Sequence, residues 1–399
     1  MVLYERLEHF GAVVFNAENG RYYQLDHAAA EAIRRACTHP AQRSPAPLSL
    51  PLGPSIGVSS RISEAPRFVC IENPRAHPLA LSAPLKAFLD ITRRCNLCCS
   101  HCYSASGGET APELASSVIL STLEQLQTHG IMRVTISGGE PLCHSEILPI
   151  LSMIRCFDID FSLITNAVGL TDTIVERLST IANLRSVTVS IDGASAETND
   201  LVRGEGAFVR AIAGLRRLIR TYKGTIAVRT TLMRTNFDSM EDLAALVAQF
   251  GVTEIKANRM NPYGRGASHP DLLLSDATYH AARDVLLKAA ALHGLRVEIP
   301  SQKYQVDVDG RLGLCRAGEE TFQIDADGSV YPCSFTFGGL LCGNVVSDSF
   351  GDILTRLQTH SINNQHCYSC RGRGGSGEKP VGYVPQLMVR SGQESSQEQ

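Results

Sequence analysis

The chain has 399 residues, of which 44% are hydrophobic and 19% are charged, and its formal net charge is −3. This composition is typical of a globular protein with a large core, and the length predicts two or three domains. The small net charge argues against electrostatic binding of nucleic acid or of an anionic membrane surface. The sequence has no apolar run of about 18 residues, so we expect no transmembrane helix.

The first ten residues, MVLYERLEHF, include two glutamates and no apolar core, which argues against a signal peptide. The chain has 13 cysteines. In a long chain without a signal, clustered cysteines more often bind metal or carry out chemistry than form a disulfide framework. We therefore expect a protein of the reducing cytoplasm.

Two short runs at the start of the chain, Gly11–Phe15 and Arg21–Leu25, flank turn residues and predict a β-hairpin. Asp26 then precedes an Ala-rich stretch, His27–Cys37, and is a predicted helix N-cap. Residues 38–66 are rich in Pro and Ser, which is typical of a linker. We predict a hairpin–helix unit over 1–37 and a linker over 38–80.

From about residue 86, short β-branched runs alternate with amphipathic stretches, which predicts a parallel α/β architecture. The predicted strands are Ala87–Thr92, Arg133–Ser137, Asp160–Thr165, Ser186–Ile191, Thr225–Leu232 and Glu254–Ala257. The predicted helices include Ser116–His129, Asp172–Ile181, Phe208–Tyr222, Met240–Phe250 and Ser275–His293. Right-handed crossovers would wind these units into an open or closed barrel over 81–294, with its reactive groups at the carboxyl ends of the strands.

Beyond the barrel the composition changes. Residues 295–375 are richer in Pro, Gly and Cys, and the helical period fades, which predicts a small, loop-rich cysteine domain. The last residues, 376–399, are polar and predict a disordered tail.

The densest group of cysteines directly follows the first barrel strand, in the segment TRRCNLCCSHCY over 92–103. Thiolates suit iron, and three on one short loop can hold three irons of a cubane cluster and leave the fourth open to a ligand. Spacing alone leaves two alternatives open. Cys98 could replace Cys99 beside Cys95 and Cys102, and the loop could instead bind zinc or be structural.

The pattern Cys95-x3-Cys99-x2-Cys102, followed by Tyr103, resembles the cluster loop of the radical S-adenosylmethionine (SAM) superfamily. The resemblance selects Cys99 over Cys98 and implies a partial (β/α)6 barrel with a [4Fe–4S] cluster whose open iron binds SAM. In that superfamily, one electron from the cluster cleaves SAM to a 5′-deoxyadenosyl radical, which removes a hydrogen atom from the substrate. The resemblance also places Tyr103 near the adenine.

The segment SGGEP over 137–141 follows the second predicted strand and resembles the superfamily's Gly-Gly-Glu motif. Glycine lets the backbone approach a ligand, and a carboxylate accepts hydrogen bonds from an ammonium group. The resemblance implies that Gly138, Gly139 and Glu140 bind the methionine amino group of SAM. By itself, the segment would also fit a plain strand–helix turn.

Polar residues also lie at the ends of the third and fourth predicted strands. In similar enzymes such residues contact the methionine carboxylate and the ribose, which implies that role for Thr165, Ser190 and Asp192. Short polar residues also cap helices, so capping is the alternative. Arg203 and Asn236 match positions common in the superfamily, with a salt bridge or a cap as the alternative.

Four cysteines near the end of the chain form two pairs, which can bind zinc or a second iron–sulfur cluster. They are Cys315, Cys333, Cys367 and Cys370. Their pattern, Cys-x12-Gly-x4-Cys followed by Cys-x2-Cys, resembles the SPASM/Twitch extension of radical SAM enzymes. The full SPASM form has further cysteines after the last pair, whereas none follows here. The resemblance therefore implies the Twitch form, with one auxiliary [4Fe–4S] cluster that accepts an electron from the substrate.

The remaining cysteines carry no metal-binding pattern. Cys342 could be an alternative ligand, a catalytic thiol or a small buried residue, and we favour the last. We expect structural roles for Cys37, Cys70, Cys143 and Cys156.

Residues 10–36 resemble the start of the PqqD-like domain, which binds leader peptides by adding a strand to a sheet edge. The later helices of that domain are replaced by the Pro/Ser-rich linker, and a hairpin that only packs on the barrel is the alternative. Together the resemblances favour a maturase that cross-links or oxidises a ribosomally made precursor peptide, with flavodoxin or ferredoxin as electron donor. A small-molecule dehydrogenase and a non-catalytic iron–sulfur redox sensor are the alternatives.

Overall fold

The structure is a computed structural model that describes residues 2–8, 11–17, 21–38, 67–71, 81–108, 111–299, 317–334 and 340–362. Its first part is a four-stranded sheet in the order β3-β2-β1-β4, in which β1 pairs parallel with β4 and antiparallel with β2. The strands are β1 (Val2–Glu8), β2 (Gly11–Asn16), β3 (Arg21–Asp26) and β4 (Arg67–Ile71), and helix α1 spans His27–Thr38.

The predicted hairpin and the following helix are confirmed, and Asp26 caps the helix by accepting from the backbone N–H of Ala29 at 2.8 Å. Strand β1 was not predicted, because its charged residues hide the alternation of a strand. The predicted linker over 38–80 includes one strand, β4, which is an isolated run after a long Pro/Ser-rich segment. Strand β4 pairs parallel with β1, and a pairing between strands so far apart in the chain leaves no local pattern in the sequence.

The second part is the predicted parallel barrel. Its strands are β5 (Lys86–Asp90), β6 (Arg133–Ser137), β7 (Asp160–Thr165), β8 (Leu184–Ser190), β9 (Thr225–Leu232), β10 (Glu254–Arg259) and β11 (Arg296–Glu298). They follow one another in chain order across the sheet, all parallel, which confirms the α/β prediction and leaves the barrel open. The helices are α2 (Ser116–Thr128), α3 (Ile147–Met153), α4 (Asp172–Ser179), α5 (Ala196–Arg203), α6 (Ala207–Thr221), α7 (Met240–Gln249) and α8 (Asp276–Leu292).

The barrel sheet continues into the cysteine-rich region. Strand β12 (Thr321–Ile324) pairs parallel with β5, and β13 (Ser329–Tyr331) and β14 (Gly343–Asn344) extend the sheet antiparallel. Helix α9 (Phe350–Ile362) follows. Helix α9 was not predicted. The high Pro, Gly and Cys content of residues 295–375 indicates loops and hides the helical pattern of this one segment.

Alternation along the strands decides which side chains enter the core. On β5, Ala87 and Leu89 are fully buried in the main apolar core beneath the helices. Burial of a leucine of this kind stabilises the fold by about 1.5–3 kcal/mol. Lys86, Phe88 and Asp90 lie on the opposite, inner face of the barrel.

The N-terminal sheet covers the amino end of the barrel. Tyr4 and Phe15 pack in one apolar cluster with Leu85 and Met132, which precede β5 and β6. The guanidinium of Arg133 lies 4.5 Å from the centroid of the Phe15 ring. The opposite face of the sheet packs on α1. In the part of the chain that the structure describes, no helix is long and apolar enough to cross a membrane.

Candidate active site

The cluster loop over 92–103 is held by the glycine-rich segment that follows β6. The backbone N–H of Gly139 donates to the carbonyl of Thr92 at 2.7 Å, and that of Glu140 donates to the carbonyl of Arg94 at 2.9 Å. A Cβ on Gly138, whose φ is +137°, would lie 2.3 Å from the Thr92 oxygen. The glycines therefore allow a close approach to the cluster-loop backbone, and their contact with SAM stays a prediction.

The structure distinguishes the cysteines of the loop by exposure. Cys95, Cys99 and Cys102 are half-buried, whereas Cys98 is exposed. The side-chain amide of Asn166, directly after β7, lies 3.8 Å from the sulfur of Cys95 and donates to a neighbouring asparagine in the loop. The three cysteines selected by the resemblance thus face the protein, and the fourth faces solvent.

The donor set fits an iron–sulfur cluster. Burial raises the pKa of Cys95 to about 12 and raises that of Cys99, so a free thiolate is disfavoured at both positions unless a metal supplies positive charge. Among the described residues, no three His, Cys, Asp or Glu side chains converge tightly enough to hold a single ion. A cubane binds each thiolate on a different iron and does not require that convergence.

Glu140 connects the ends of β6 and β7. Its carboxylate is fully buried and accepts hydrogen bonds from the hydroxyl of Thr165 at 2.7 Å and from the backbone N–H groups of Asn166 and Leu142 at 2.6 and 3.1 Å. Burial raises the pKa of Glu140 to about 6, although these donors favour the ionised form. The predicted pair of Glu140 and Thr165 is therefore brought together by the fold.

Asp192, just after β8, links the cluster loop to β9 and α5. Its buried carboxylate accepts from the backbone N–H of Thr231 at 2.7 Å and lies 2.7 Å from the guanidinium of Arg203 and 3.3 Å from the imidazole of His101. Burial raises the pKa of Asp192, but Arg203, His101 and the Thr231 hydrogen bond together outweigh burial and the net pKa is lowered. Both carboxylate oxygens face protein groups, so the predicted contact of Asp192 with SAM stays a prediction.

The other predicted cofactor contacts lie at the same end of the barrel. Ser190 is the last residue of β8 and is half-buried. Tyr103 closes the cluster loop, and burial raises its pKa well above the usual range. Asn236 donates to the carbonyls of Asp192 and Thr231, so it stabilises this end as a buried turn residue.

Arg265, in the loop after β10, was not identified from the sequence. Its side chain donates to the carbonyls of Cys99 and Ser106 at 2.9 and 2.7 Å, and its backbone N–H donates to the carbonyl of Cys102 at 2.9 Å. A Cβ on Gly264 would lie 2.3 Å from the carbonyl oxygen of Tyr103. No sequence motif indicates this clamp, because its partners are backbone atoms more than a hundred residues away.

Arg93 connects the cluster loop with the C-terminal region. Its guanidinium pairs with both oxygens of Asp325, which follows β12, and donates to the carbonyl of Ser104. A two-pronged arginine–carboxylate pair of this kind fixes geometry as well as charge. The cysteine-rich region is therefore tied directly to the loop that carries the cluster ligands.

The structure describes one of the four predicted auxiliary ligands. Cys333 is half-buried just after β13, and Cys315, Cys367 and Cys370 lie outside the described residues. Cys342 is fully buried in the main core and burial raises its pKa to about 12, which agrees with its interpretation as a small buried residue.

Of the cysteines expected to be structural, Cys143 is half-buried, whereas Cys156 is exposed. The side chains of Cys37 and Cys70 lie outside what the structure describes.

Comparison with known proteins identifies the two main parts of the chain. A family model described as the radical SAM superfamily matches residues 89–247, and one described as an iron–sulfur cluster-binding domain, SPASM, matches residues 315–371. The mycofactocin maturase MftC of Mycolicibacterium smegmatis is 31% identical over 275 residues, which cover 67% of this chain and 69% of that protein. This chain belongs to the radical SAM superfamily. It is an enzyme whose cofactors are SAM, a [4Fe–4S] cluster and iron–sulfur in its SPASM domain.

Two further known proteins are similar to this chain. The AdoMet-dependent heme synthase of Methanosarcina barkeri is 28% identical over 295 residues, covering 68% of this chain and 82% of that protein. The crystal structure of Streptococcus suis SuiB bound to precursor peptide SuiA superimposes with a TM-score of 0.65 at 16% identity, covering 88% of this chain and 87% of SuiB. At that identity the likeness shows the fold alone. Neither matched family model includes residues 1–38, so the PqqD-like resemblance stays a prediction.

When bound, the cluster and SAM supply a 5′-deoxyadenosyl radical that abstracts a hydrogen atom from the substrate. The residues of this chain hold that machinery at the carboxyl end of the barrel. Cys95, Cys99 and Cys102 would ligate three irons. The buried carboxylate of Glu140 would accept from the amino group of SAM, and Arg265 fixes the backbone of the ligand loop.

Proposed function

We propose that this enzyme is a maturase that removes hydrogen from a ribosomally made precursor peptide and forms a cross-link or an oxidised residue. The observation that carries the proposal is the combination of parts: a radical SAM barrel, a SPASM domain tied to its cluster loop by Arg93 and Asp325, and a separate N-terminal sheet. The similarity to a protein named as a maturase supports it.

The N-terminal sheet offers a place for a leader peptide. Within the described residues, β3 lies at one edge of the sheet beside α1, and an extended peptide can add to such an edge through backbone hydrogen bonds. The leader would then lie at the amino end of the barrel, away from the cluster loop. The segment to be modified would have to reach round to the open carboxyl end.

We further propose that the SPASM domain holds one auxiliary [4Fe–4S] cluster on Cys315, Cys333, Cys367 and Cys370. It would accept an electron from the substrate after hydrogen abstraction. With release of one proton, the peptide would then have lost two hydrogen atoms overall. The half-buried position of Cys333 and the link between Arg93 and Asp325 support a location beside the active site.

The test uses the anaerobically reconstituted enzyme, SAM, a chemical reductant and synthetic peptides that correspond to any short reading frames beside the gene. We expect 5′-deoxyadenosine to form together with a peptide lighter by two hydrogen atoms, detected by mass spectrometry. A matched peptide without its leader should react more slowly. An unchanged peptide mass in the presence of cofactor cleavage would reject the peptide substrate.

A small-molecule substrate is the second candidate, and the similarity to a heme synthase favours it. The same assay separates the two, because a small-molecule enzyme would cleave SAM at an unchanged rate whether or not the peptide is present. An electron donor such as flavodoxin or ferredoxin is part of either proposal. A redox sensor without catalysis would produce no 5′-deoxyadenosine.

A further inference from the structure

Besides Arg133 of β6, which is paired with Asp160 at 2.9 Å, the inner face of the barrel carries basic side chains from three further strands: Lys86 of β5, Arg229 of β9 and Lys256 of β10. The residue next to each of these last three on its strand packs in the apolar core beneath the helices. These residues are Ala87, Val228 and Ile255. Because side chains alternate between the two faces of a strand, the three basic residues face the barrel interior.

Only Lys256 of these three has its charge matched by an ion pair. Its ammonium lies 3.2 Å from Glu298 of β11 and 3.8 Å from Glu254. Within the described part of the chain, the side chains of Lys86 and Arg229 make no ion pair or hydrogen bond, and the Nε atom of Arg229 is buried without a partner. Glu298 attracts both cations but is already paired with Lys256.

The pKa of Lys86 shows that this interior disfavours an additional positive charge. The pKa of Lys86 is lowered to about 7, mainly by burial and also by the charges of Arg133, Lys256 and Arg229, against the attraction of Glu298. Its ammonium lies 4.2 Å from the centroid of the Phe88 ring, so the side chain points up the strand toward the middle of the barrel.

Arg229 lies between this interior and the cofactor end. It pairs in register with Ser190 of β8 on one side and with Lys256 of β10 on the other. Burial lowers its pKa, and the charges that oppose this shift belong to Glu298 in the interior and to Tyr103 in the cluster loop. The guanidinium therefore lies between the charged interior of the barrel and the cluster loop.

Half-buried cations without counter-charges are costly, and a carboxylate is the group that matches them best. A guanidinium binds a carboxylate through two parallel hydrogen bonds, and an ammonium adds a point charge. We infer that the barrel interior binds a carboxylate of the substrate through Arg229 and Lys86. If the proposed peptide substrate is correct, this group is the C-terminal carboxylate or an Asp or Glu side chain next to the modified residue.

Isothermal titration calorimetry with three short probes tests the inference on the anaerobic, SAM-saturated holoenzyme. The probes are acetyl-trialanine with a free carboxylate, the same peptide as its amide, and acetyl-Ala-Glu-Ala amide. We expect one or both acidic probes to bind about tenfold or more tightly than the neutral amide, as expected for hydrogen bonds between charged groups. The acid that binds identifies the source of the carboxylate.

Proton uptake gives a second readout that does not depend on turnover. A bound carboxylate raises the pKa of Lys86, so binding at pH 7 should take up about half a proton, measured from heats in two buffers of different ionisation enthalpy. The uptake should vanish in Lys86→Met. The affinity for the acid should fall about tenfold or more in Arg229→Gln and stay unchanged in Lys223→Gln, which removes an exposed charge just before β9.

Equal binding of acidic and neutral probes by the wild-type enzyme would overturn the inference without recourse to any variant. It would also fall if the acid preference appeared only without SAM, because the site would then belong to the carboxylate of the cofactor. None of these measurements requires a modified peptide. A failed maturase assay with preserved acid binding would therefore reject the proposed function and leave the carboxylate site in place.

Discussion

The two ends of the barrel are stabilised in different ways. At the amino end, Arg6 of β1 is fully buried, pairs with Glu8 at 2.7 Å and donates to the carbonyls of Ala83, Pro84 and Gly130. An apolar cluster closes the space around this arginine. At the carboxyl end, Arg265 also donates to backbone carbonyls, but its partners belong to the irregular loop that carries the cluster ligands.

The difference follows from what each end has to do. The amino end of the barrel joins two sheets and can be fully packed, so the buried charge of Arg6 serves only to stabilise the fold. The carboxyl end must keep thiols, carboxylates and backbone groups available to cofactors, so its loops are fixed by hydrogen bonds at their edges. Damage at one end should therefore affect folding, and damage at the other should affect cofactor binding.

The largest effect is expected at the cluster ligands. Cys99→Ala should abolish 5′-deoxyadenosine formation and lower the iron content by about four per chain, because one thiolate of the cubane is lost. Cys98→Ala is the matched control, since its exposed thiol faces away from the protein. Loss of activity in the Cys98 variant with retention in the Cys99 variant would exchange the two assignments.

At the amino end, Arg6→Met should lower the free energy of unfolding by about 3–5 kcal/mol, because the buried carboxylate of Glu8 would keep its hydrogen bonds from Ser82 but lose its only recorded counter-charge among the described residues. The measurement is anaerobic denaturation by urea. Arg35→Met, which removes an exposed arginine from α1, should change stability by less than about 0.5 kcal/mol. The fraction of Arg6→Met that still folds should retain its iron. Loss of iron without loss of stability would contradict the assignment of folding to the amino end and of cofactor binding to the carboxyl end.

At the carboxyl end, Arg265→Lys should accelerate loss of the cluster to a chelator about tenfold or more, while the global stability of the protein changes little. A lysine keeps the charge but cannot reach the carbonyls of Cys99 and Ser106 together. Bleaching of the cluster absorbance measures the rate. Arg210→Lys on α6 provides the control, because its side chain bonds only to its own local backbone. Equal rates in both variants would show that the clamp is not needed.

The smallest effect concerns pH and Asp90, the last residue of β5. Burial raises the pKa of this carboxyl group to about 7, and Asp325 adds to the shift. Because the folded pKa lies above the unfolded value, the stability it contributes is present below about pH 4 and is lost as pH rises through about 7.

Asp90→Asn should therefore gain about 2 kcal/mol relative to the wild type between pH 5.5 and pH 7. The gain should appear as a thermal midpoint difference of a few degrees that grows with pH. A difference that is constant across this range would show that Asp90 is ionised throughout. Glu205→Gln, in an exposed turn, serves as the control.

The sequence alone determined the parallel barrel, and it predicts the cluster ligands. The barrel strands repeat a local pattern of apolar runs and amphipathic helices, and the resemblance of Cys95, Cys99 and Cys102 to a known loop rests on neighbouring residues. Elements whose partners are distant were missed or misplaced. Strand β4 pairs with β1 across a long linker, and β12 joins the barrel beside β5.

The tertiary structure decided how these parts work together. Arg265 holds the cluster loop, Arg93 ties it to the SPASM domain, and Lys86 and Arg229 share one interior although they come from different strands. Each of these relations joins residues more than a hundred positions apart, through backbone carbonyls or through charge at close range. A linear pattern records which residues are present, and only the folded chain brings their charges and hydrogen-bonding groups together.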